Sequence, residues 1–294
     1  MKECFVDKGF RAETLDLIEQ INDILDDYNS QGFVLSLRQL YYQLVSRDLI
    51  PNTIQDYKRI GNIVGDGRLA GLIDWEMIED REREVVYPAH WTDATDIAMQ
   101  AAHQFRVDRW ENQPRHVEVM VEKKALEGVL IPVCRDVDVR FTANRGYSSL
   151  SAMYEAGKRI QRAYDDQKDV YILYLGDHDP SGLDMDRDIL GRLGLFSGID
   201  LEVERLALLY SQIEQMRPPE NPAKLTDSRA PGYIAQFGMS SWELDAIEPR
   251  TLAQLVRDAV IYLRDDDLWN ETIAREEEER AKLMKAAQEM RNGN

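Results

Sequence analysis

The chain has 294 residues and a mass of 34.0 kDa, and 44% of it is apolar, which suits two medium-sized domains and excludes a disordered polymer. Its formal net charge of -18 argues against a general nucleic-acid coat protein but leaves room for a local basic surface that meets DNA. Cys4 and Cys134 lie far apart and form no CxxC pair, so neither a zinc site nor a disulfide framework is expected. No stretch reads as a signal peptide or a membrane span, and a cytoplasmic protein is expected.

Residues 12–28 have the period of an amphipathic helix, with Leu15, Ile18, Ile21 and Leu25 at three- and four-residue steps. After the break at NSQGF, Ser36 is placed to cap a second helix, LRQLYYQLVSRD, which ends before Pro51. Asn52 or Thr53 can cap a third over residues 54–73. On it Ile54, Tyr57, Ile60 and Val64 share a face, and Lys58, Arg59 and Asn62 point away. From Ser36 to Leu72 the basic residues Arg38, Arg47, Lys58, Arg59 and Arg68 outnumber Asp48, Asp56 and Asp66, a local reversal of the global charge. The stretch EDREREVVYP can form a β-wing. Three short helices and a wing predict a winged helix-turn-helix, a pattern that small helical bundles share.

The polar run VDRWENQPR, residues 107–115, is expected to link an N-terminal domain (1–106) to a C-terminal one (107–294). Beyond it the pattern changes to α/β alternation. HVEVMV, DVRFTA, VYILYLG and LEVERLAL read as strands, and KKALEGVLIPVC, SLSAMYEAGKRIQRAYDD and SGLDMDRDILGRLG read as helices. Such alternation predicts a parallel sheet. PPENPAKLTDSRAPG is expected to be a loop, followed by a helix near 250–263 and a charged, partly exposed final helix.

Glu122 follows the first of these strands, and Asp177 and Asp179 follow the third. Open parallel sheets build ligand sites at the carboxyl ends of their strands, so the three carboxylates are expected to meet there. Clustered carboxylates are hard oxygen ligands suited to Mg²⁺, which neutralises charge in phosphoryl transfer. Taken singly, each acid can equally be a helix cap.

VMVEKKAL, NRGYSSLS and YLGDHDPSGLDM together resemble the Toprim domain, most of all that of the topoisomerase VI A subunit and the related meiotic double-strand-break proteins. Where that subfamily often has proline after Gly-Tyr, this chain has Ser148. SLRQLYYQLV is similar to the family's T-x-R-D-I-Y-Y motif, with Gln39 in the place of the aspartate. The resemblance spans roughly residues 12–210. It implies an α/β protein with a winged-helix domain followed by a Rossmann-like Toprim domain. It also implies a Mg²⁺ site at Glu122, Asp177 and Asp179, and Tyr42 rather than Tyr41 as the nucleophile that links covalently to double-stranded DNA.

Arg38, one helical turn before Tyr42, can hold the scissile phosphate, and the Tyr42 hydroxyl is expected to face an open groove. The family is a dimer in which the tyrosine of one protomer works with the metal of the other, joined to a separate ATPase B subunit. This chain carries no Walker-type loop of its own. In SSWELDAIEP, Trp242 and Leu244 read as core, while Glu243 and Asp245 either cap a helix or face the metal site. Three alternatives stay open: a core role for the tyrosine pair, a Toprim nuclease that uses water, and a DNA-binding module that does not cut.

Overall fold

The structure, a computed structural model, describes residues 2–79, 88–143 and 150–292. The chain begins with α1 (Ala12–Asn29), β1 (Leu35–Ser36), α2 (Leu37–Ser46), α3 (Ile54–Leu69) and β2 (Ile78–Glu79). Ser36 starts α2 through a reciprocal cap. Its hydroxyl accepts the Gln39 N–H, and Gln39 Oε1 accepts the Ser36 N–H at 2.8 Å. Thr53, rather than Asn52, caps α3 by accepting the Asp56 N–H at 3.0 Å. The helices close over a core that includes Ile21, Leu25, Leu40, Leu44, Ile60 and Val64. Leu15 and Ile54 are exposed, against expectation. Leu17 and Ile24 complete the buried face of α1, and the burial of α3 begins only at Ile60. The wing expected at 79–88 lies, apart from its two ends, outside the described residues, as does Ser148.

Next comes α4 (Ala94–Gln104), which the sequence reading did not foresee. The segment expected to be a linker is instead sewn into the C-terminal half. Trp110 is buried and donates its indole N–H to Val137 O at 2.9 Å, and Gln113 exchanges two hydrogen bonds with the Asp265 backbone. Polar composition misled here because these side chains find partners inside the fold.

The second half holds β3 (Arg115–Val121), α5 (Glu127–Asp136), β4 (Arg140–Ala143), α6 (Leu150–Asp165), β5 (Asp169–Leu175), α7 (Gly182–Ser197) and β6 (Val203–Ala207). Then follow α8 (Tyr210–Met216), β7 (Asn221–Pro222), α9 (Ala230–Phe237), β8 (Ser240–Ser241), α10 (Pro249–Leu263) and α11 (Asp266–Asn292), along which α4 packs. The region expected to be one loop thus contains β7 and the start of α9.

The architecture is α/β, built on a four-stranded parallel sheet in the order β4-β3-β5-β6. Strand alternation sends Val117, Val119, Val121, Leu173 and Leu175 into a core shared with α5 and α10. Met120, Ile172 and Tyr174 go to the other face, under α6 and α7. Among the described residues no helix is long and apolar enough to cross a membrane.

Helices α6 and α7 approach closely at Gly157, where an added Cβ would stand 2.5 Å from Phe196 Cβ and 3.1 Å from the Phe196 carbonyl carbon. Gly157→Ala must push backbone as well as side chain. We expect it to lower unfolding stability by ~1–3 kcal/mol in urea titrations.

Candidate active site

Chain order reverses between β3 and β5. From β3 the chain crosses to β4 on one side, and β5 and β6 lie on the other. Such a switch point opens a crevice at the strand ends. Glu122 and Asp177 stand there on hydrogen-bonded neighbouring strands. The Glu122 N–H continues the ladder to Leu175 O at 2.9 Å, and Glu122 Oε2 accepts the Asp177 N–H at 2.8 Å. Asp179 turns back and caps α7, accepting from Gly182 N at 2.6 Å and from the Ser181 hydroxyl at 2.9 Å. This is the helix-cap role that any of the three acids could have taken. Gly182 is required here, since a Cβ would meet Asp177 O at 2.3 Å. The turn is held from β6 by Arg205. Its guanidinium donates to Gly182 O at 2.6 Å and to Gly176 O at 3.0 Å, and it pairs with Asp186 at 2.8 Å.

Lys123, the residue after Glu122, lies at the centre. Its Nζ is 2.8 Å from Asp177 Oδ2, 3.0 Å from Glu243 Oε2 and 3.0 Å from Asp245 Oδ2. Burial opposes its charge, but Asp245, Asp177 and Glu243 outweigh burial and hold the ammonium well above the ordinary lysine range. Burial pushes the Glu122 and Asp177 carboxyls up, each reinforced by the negative charge of neighbouring acids. For Glu243, Lys123 and Arg38 overcome the burial that would raise it and keep it ionised.

Trp242 and Leu244 are core, and Glu243 and Asp245 both turn to Lys123. Asp245 Oδ1 is buried with no hydrogen-bond donor, and Oδ2 meets only Lys123 Nζ. A buried acceptor without a donor, in a site where Glu122, Asp177, Asp179, Glu243 and Asp245 outnumber Lys123 and Arg38, fits a hard divalent cation. Among the described residues, no three such side chains already stand in a metal-binding arrangement. The lysine occupies the middle of the cluster instead.

Tyr42 corrects one expectation. It does not face an open groove but is 4% exposed, its ring in the N-terminal core and packed edge-on to Tyr41 at 5.3 Å. One face of α2 has to bury against α1 and α3, and the adjacent tyrosines both fall within that wide apolar stripe. The hydroxyl end leaves the core and accepts a hydrogen bond from Asn221 Nδ2 at 2.9 Å. Burial and the charge of Glu243 push this phenol up to about 12. Arg38, on the same helix, is paired with Glu243 and so joins the strand-end cluster. Gln39 is consumed by the Ser36 cap.

Sequence reading singled out neither Lys123 nor Asn221, Arg205 or His178. Lys123 stood inside the EKK motif, while Asn221 reaches Tyr42 from 179 residues away with no local signal. His178 is buried in an aromatic box of Tyr210, Tyr233, Phe237 and Trp242, its Nδ1 2.9 Å from the Tyr233 hydroxyl. No protein-family model matches the chain, and no curated protein matches it.

Burial, aided by the positive charge of Arg205, lowers the His178 imidazole to about 4. The folded state therefore favours the neutral ring, while the unfolded chain takes up a proton near the ordinary value of ~6.5. Stability from this residue is present above that value and is lost as pH falls toward 4. Urea midpoints of the wild type are expected to fall between pH 6.5 and 4.5, and His178→Gln is expected to flatten that slope. A His178 imidazole signal, identified by its loss in His178→Gln, that titrates near 6.5 in the folded protein would contradict this.

Proposed function

We propose that the protein cleaves double-stranded DNA by transesterification, as the topoisomerase VI A subunit does. In this reading residues 1–106 form the winged-helix part and residues 107–294 the Toprim part. Tyr42 is the nucleophile. Its Oη forms a bond to phosphorus and gives up the phenolic proton. The bond from phosphorus to the neighbouring deoxyribose oxygen breaks with its electron pair, and that oxygen takes up a proton. The phosphotyrosyl bond keeps the energy of the phosphodiester, so the reverse step reseals the strand.

Arg38 binds the phosphate once it is released from Glu243. Glu122, Asp177 and Asp179 hold Mg²⁺, which when bound neutralises charge on the phosphate. A homodimer supplies one tyrosine for each strand, and a separate ATPase subunit is needed for a complete ATP-driven enzyme.

One observation carries this reading. The tyrosine helix and the strand-end carboxylates belong to a single ionic cluster, Arg38 to Glu243 to Lys123 to Asp177, within one chain, whereas the resemblance implies that they meet across two protomers. Two motifs distant in sequence that resemble the same enzyme thus converge in space. Burial of Tyr42 and its raised pKa favour a second reading, in which the same carboxylates serve a nuclease that activates water.

Denaturing gels of reactions with labelled duplex and Mg²⁺ separate the two. Tyrosine attack leaves label on the protein, lost in Tyr42→Phe and in Asp177→Asn. Cutting without retained label, unchanged in Tyr42→Phe, assigns the chemistry to water. Tyr42→Phe keeps the ring packing, so its stability is expected to stay within ~1.5 kcal/mol of wild type. For the dimer, light scattering of the free protein is expected to give twice the chain mass, and in the DNA complex two chains per duplex.

A further inference from the structure

Asn221 and Asn52 form a relay between the two tyrosines, and its direction can be read from one backbone carbonyl. Asn52 Nδ2 lies 2.9 Å from Glu220 O, which only accepts, so the Asn52 amide must present its nitrogen on that side. The same nitrogen lies 3.3 Å from Asn221 Oδ1, and Asn52 Oδ1 is turned to the Tyr41 hydroxyl at 3.0 Å, which shares its one proton between that oxygen and Thr53 O, also at 3.0 Å. With its oxygen committed to Asn52, Asn221 has only its nitrogen to offer Tyr42, 2.9 Å from Oη. The phenolic oxygen therefore accepts, and its proton is turned away from Asn221.

The rest of the frame keeps Asn221 in place. It lies on β7, paired with β8 through Asn221–Ser241, two residues before Glu243. Ser241 Oγ also donates to Asn221 O at 3.3 Å. One short ribbon thus delivers both the amide that meets Tyr42 and the carboxylate that meets Arg38 and Lys123. The charged groups whose fields reach the Tyr42 hydroxyl are Arg38 from its own helix, Glu243 from the segment after the ribbon and Lys123 from the end of β3.

We infer that Asn221 is a positioning residue for Tyr42: its amide, oriented by Asn52 and the Glu220 carbonyl, donates to the phenolic oxygen and directs the hydroxyl proton toward the ionic cluster. The inference rests on Tyr42 as the nucleophile. A donor on that oxygen favours the phenolate that attacks, and the fixed amide sets the direction in which the oxygen is presented.

The test uses the full chain with ¹³C at tyrosine Cζ, the Tyr42 signal being the one absent from Tyr42→Phe. This shift distinguishes a phenol oxygen that accepts from one that donates. Asn221→Ala removes the donor and is expected to move the signal. Asn221→Asp, nearly the same size but able only to accept, is expected to move it further in the same direction. Asn52→Ala leaves Asn221 present but frees its amide, and is expected to give an intermediate shift. A signal that stays in place in Asn221→Asp, or moves the opposite way from that of Asn221→Ala, overturns the assignment.

In single-turnover reactions at saturating DNA, Asn221→Ala is expected to slow adduct formation by ~2- to 10-fold, the worth of one neutral hydrogen bond, with DNA affinity unchanged. An unchanged rate, or a loss confined to affinity, also overturns it. A wild-type protein that forms no adduct removes the nucleophile, while the carbon shift still decides the direction of the relay.

Discussion

A single ammonium group holds the candidate site together. Lys123 Nζ gathers Asp177 from the turn after β5 with Glu243 and Asp245 from the segment after β8. Without a cation at that point, like charges at such spacing repel strongly in a partly buried setting. The lysine is thus what allows the end of β3, the end of β5 and the Trp242–Asp245 segment to approach. Removing one partner from a buried ionic group leaves an uncompensated charge, so the arrangement is held collectively rather than pair by pair. On the proposed function, a divalent ion entering the cluster would compete with Lys123 for Asp177.

Closure and chemistry make opposite demands here. The N-terminal helices bury Tyr42 and tie Arg38 to Glu243, which keeps the phenol protonated and the guanidinium engaged. On the proposed function, the phosphates of DNA would compete with Glu243 for Arg38. Of the other contacts bridging the halves, Arg250 to Asp27 joins half-exposed ionic groups that water can replace at modest cost, whereas Tyr28, which donates to Glu248, is itself buried. The buried frame beneath them, with Arg205 gathering the carbonyls of the 176–182 turn, has no such exchange available.

Much of the fold was legible because each element carries its own period and its own boundary. The strands from Arg115 to Ala207 and their crossover helices fall where alternation placed them, and Ser36 and Thr53 cap as their residue types suggest. The neighbouring positions of Glu122 and Asp177 followed from a topological rule about strand ends. What stayed hidden depends on partners remote in sequence. Trp110 looked like part of a linker because its cavity is built by residues around Val137 and Trp269. Asn221 sat in a proline-rich run with no periodicity to mark it. The burial of Tyr42 was hidden for another reason: a nucleophile on a helix and a core residue on the same helix write the same pattern of apolar spacing.

Arg38 and Glu243, which close the cluster, are separated by 205 residues. During synthesis at ~5–20 residues per second, the tyrosine helix leaves the ribosome about 10–40 s before the carboxylate that will restrain it. The N-terminal core can form in that interval from its own helices, since nearly all of its residues come from the first 78. For that period Arg38 has no Glu243, and Tyr42 has no Asn221 until 179 residues have followed it. A nascent chain therefore carries the tyrosine without the charges around it, and the site becomes complete only when one of the last segments to be made folds back onto one of the first.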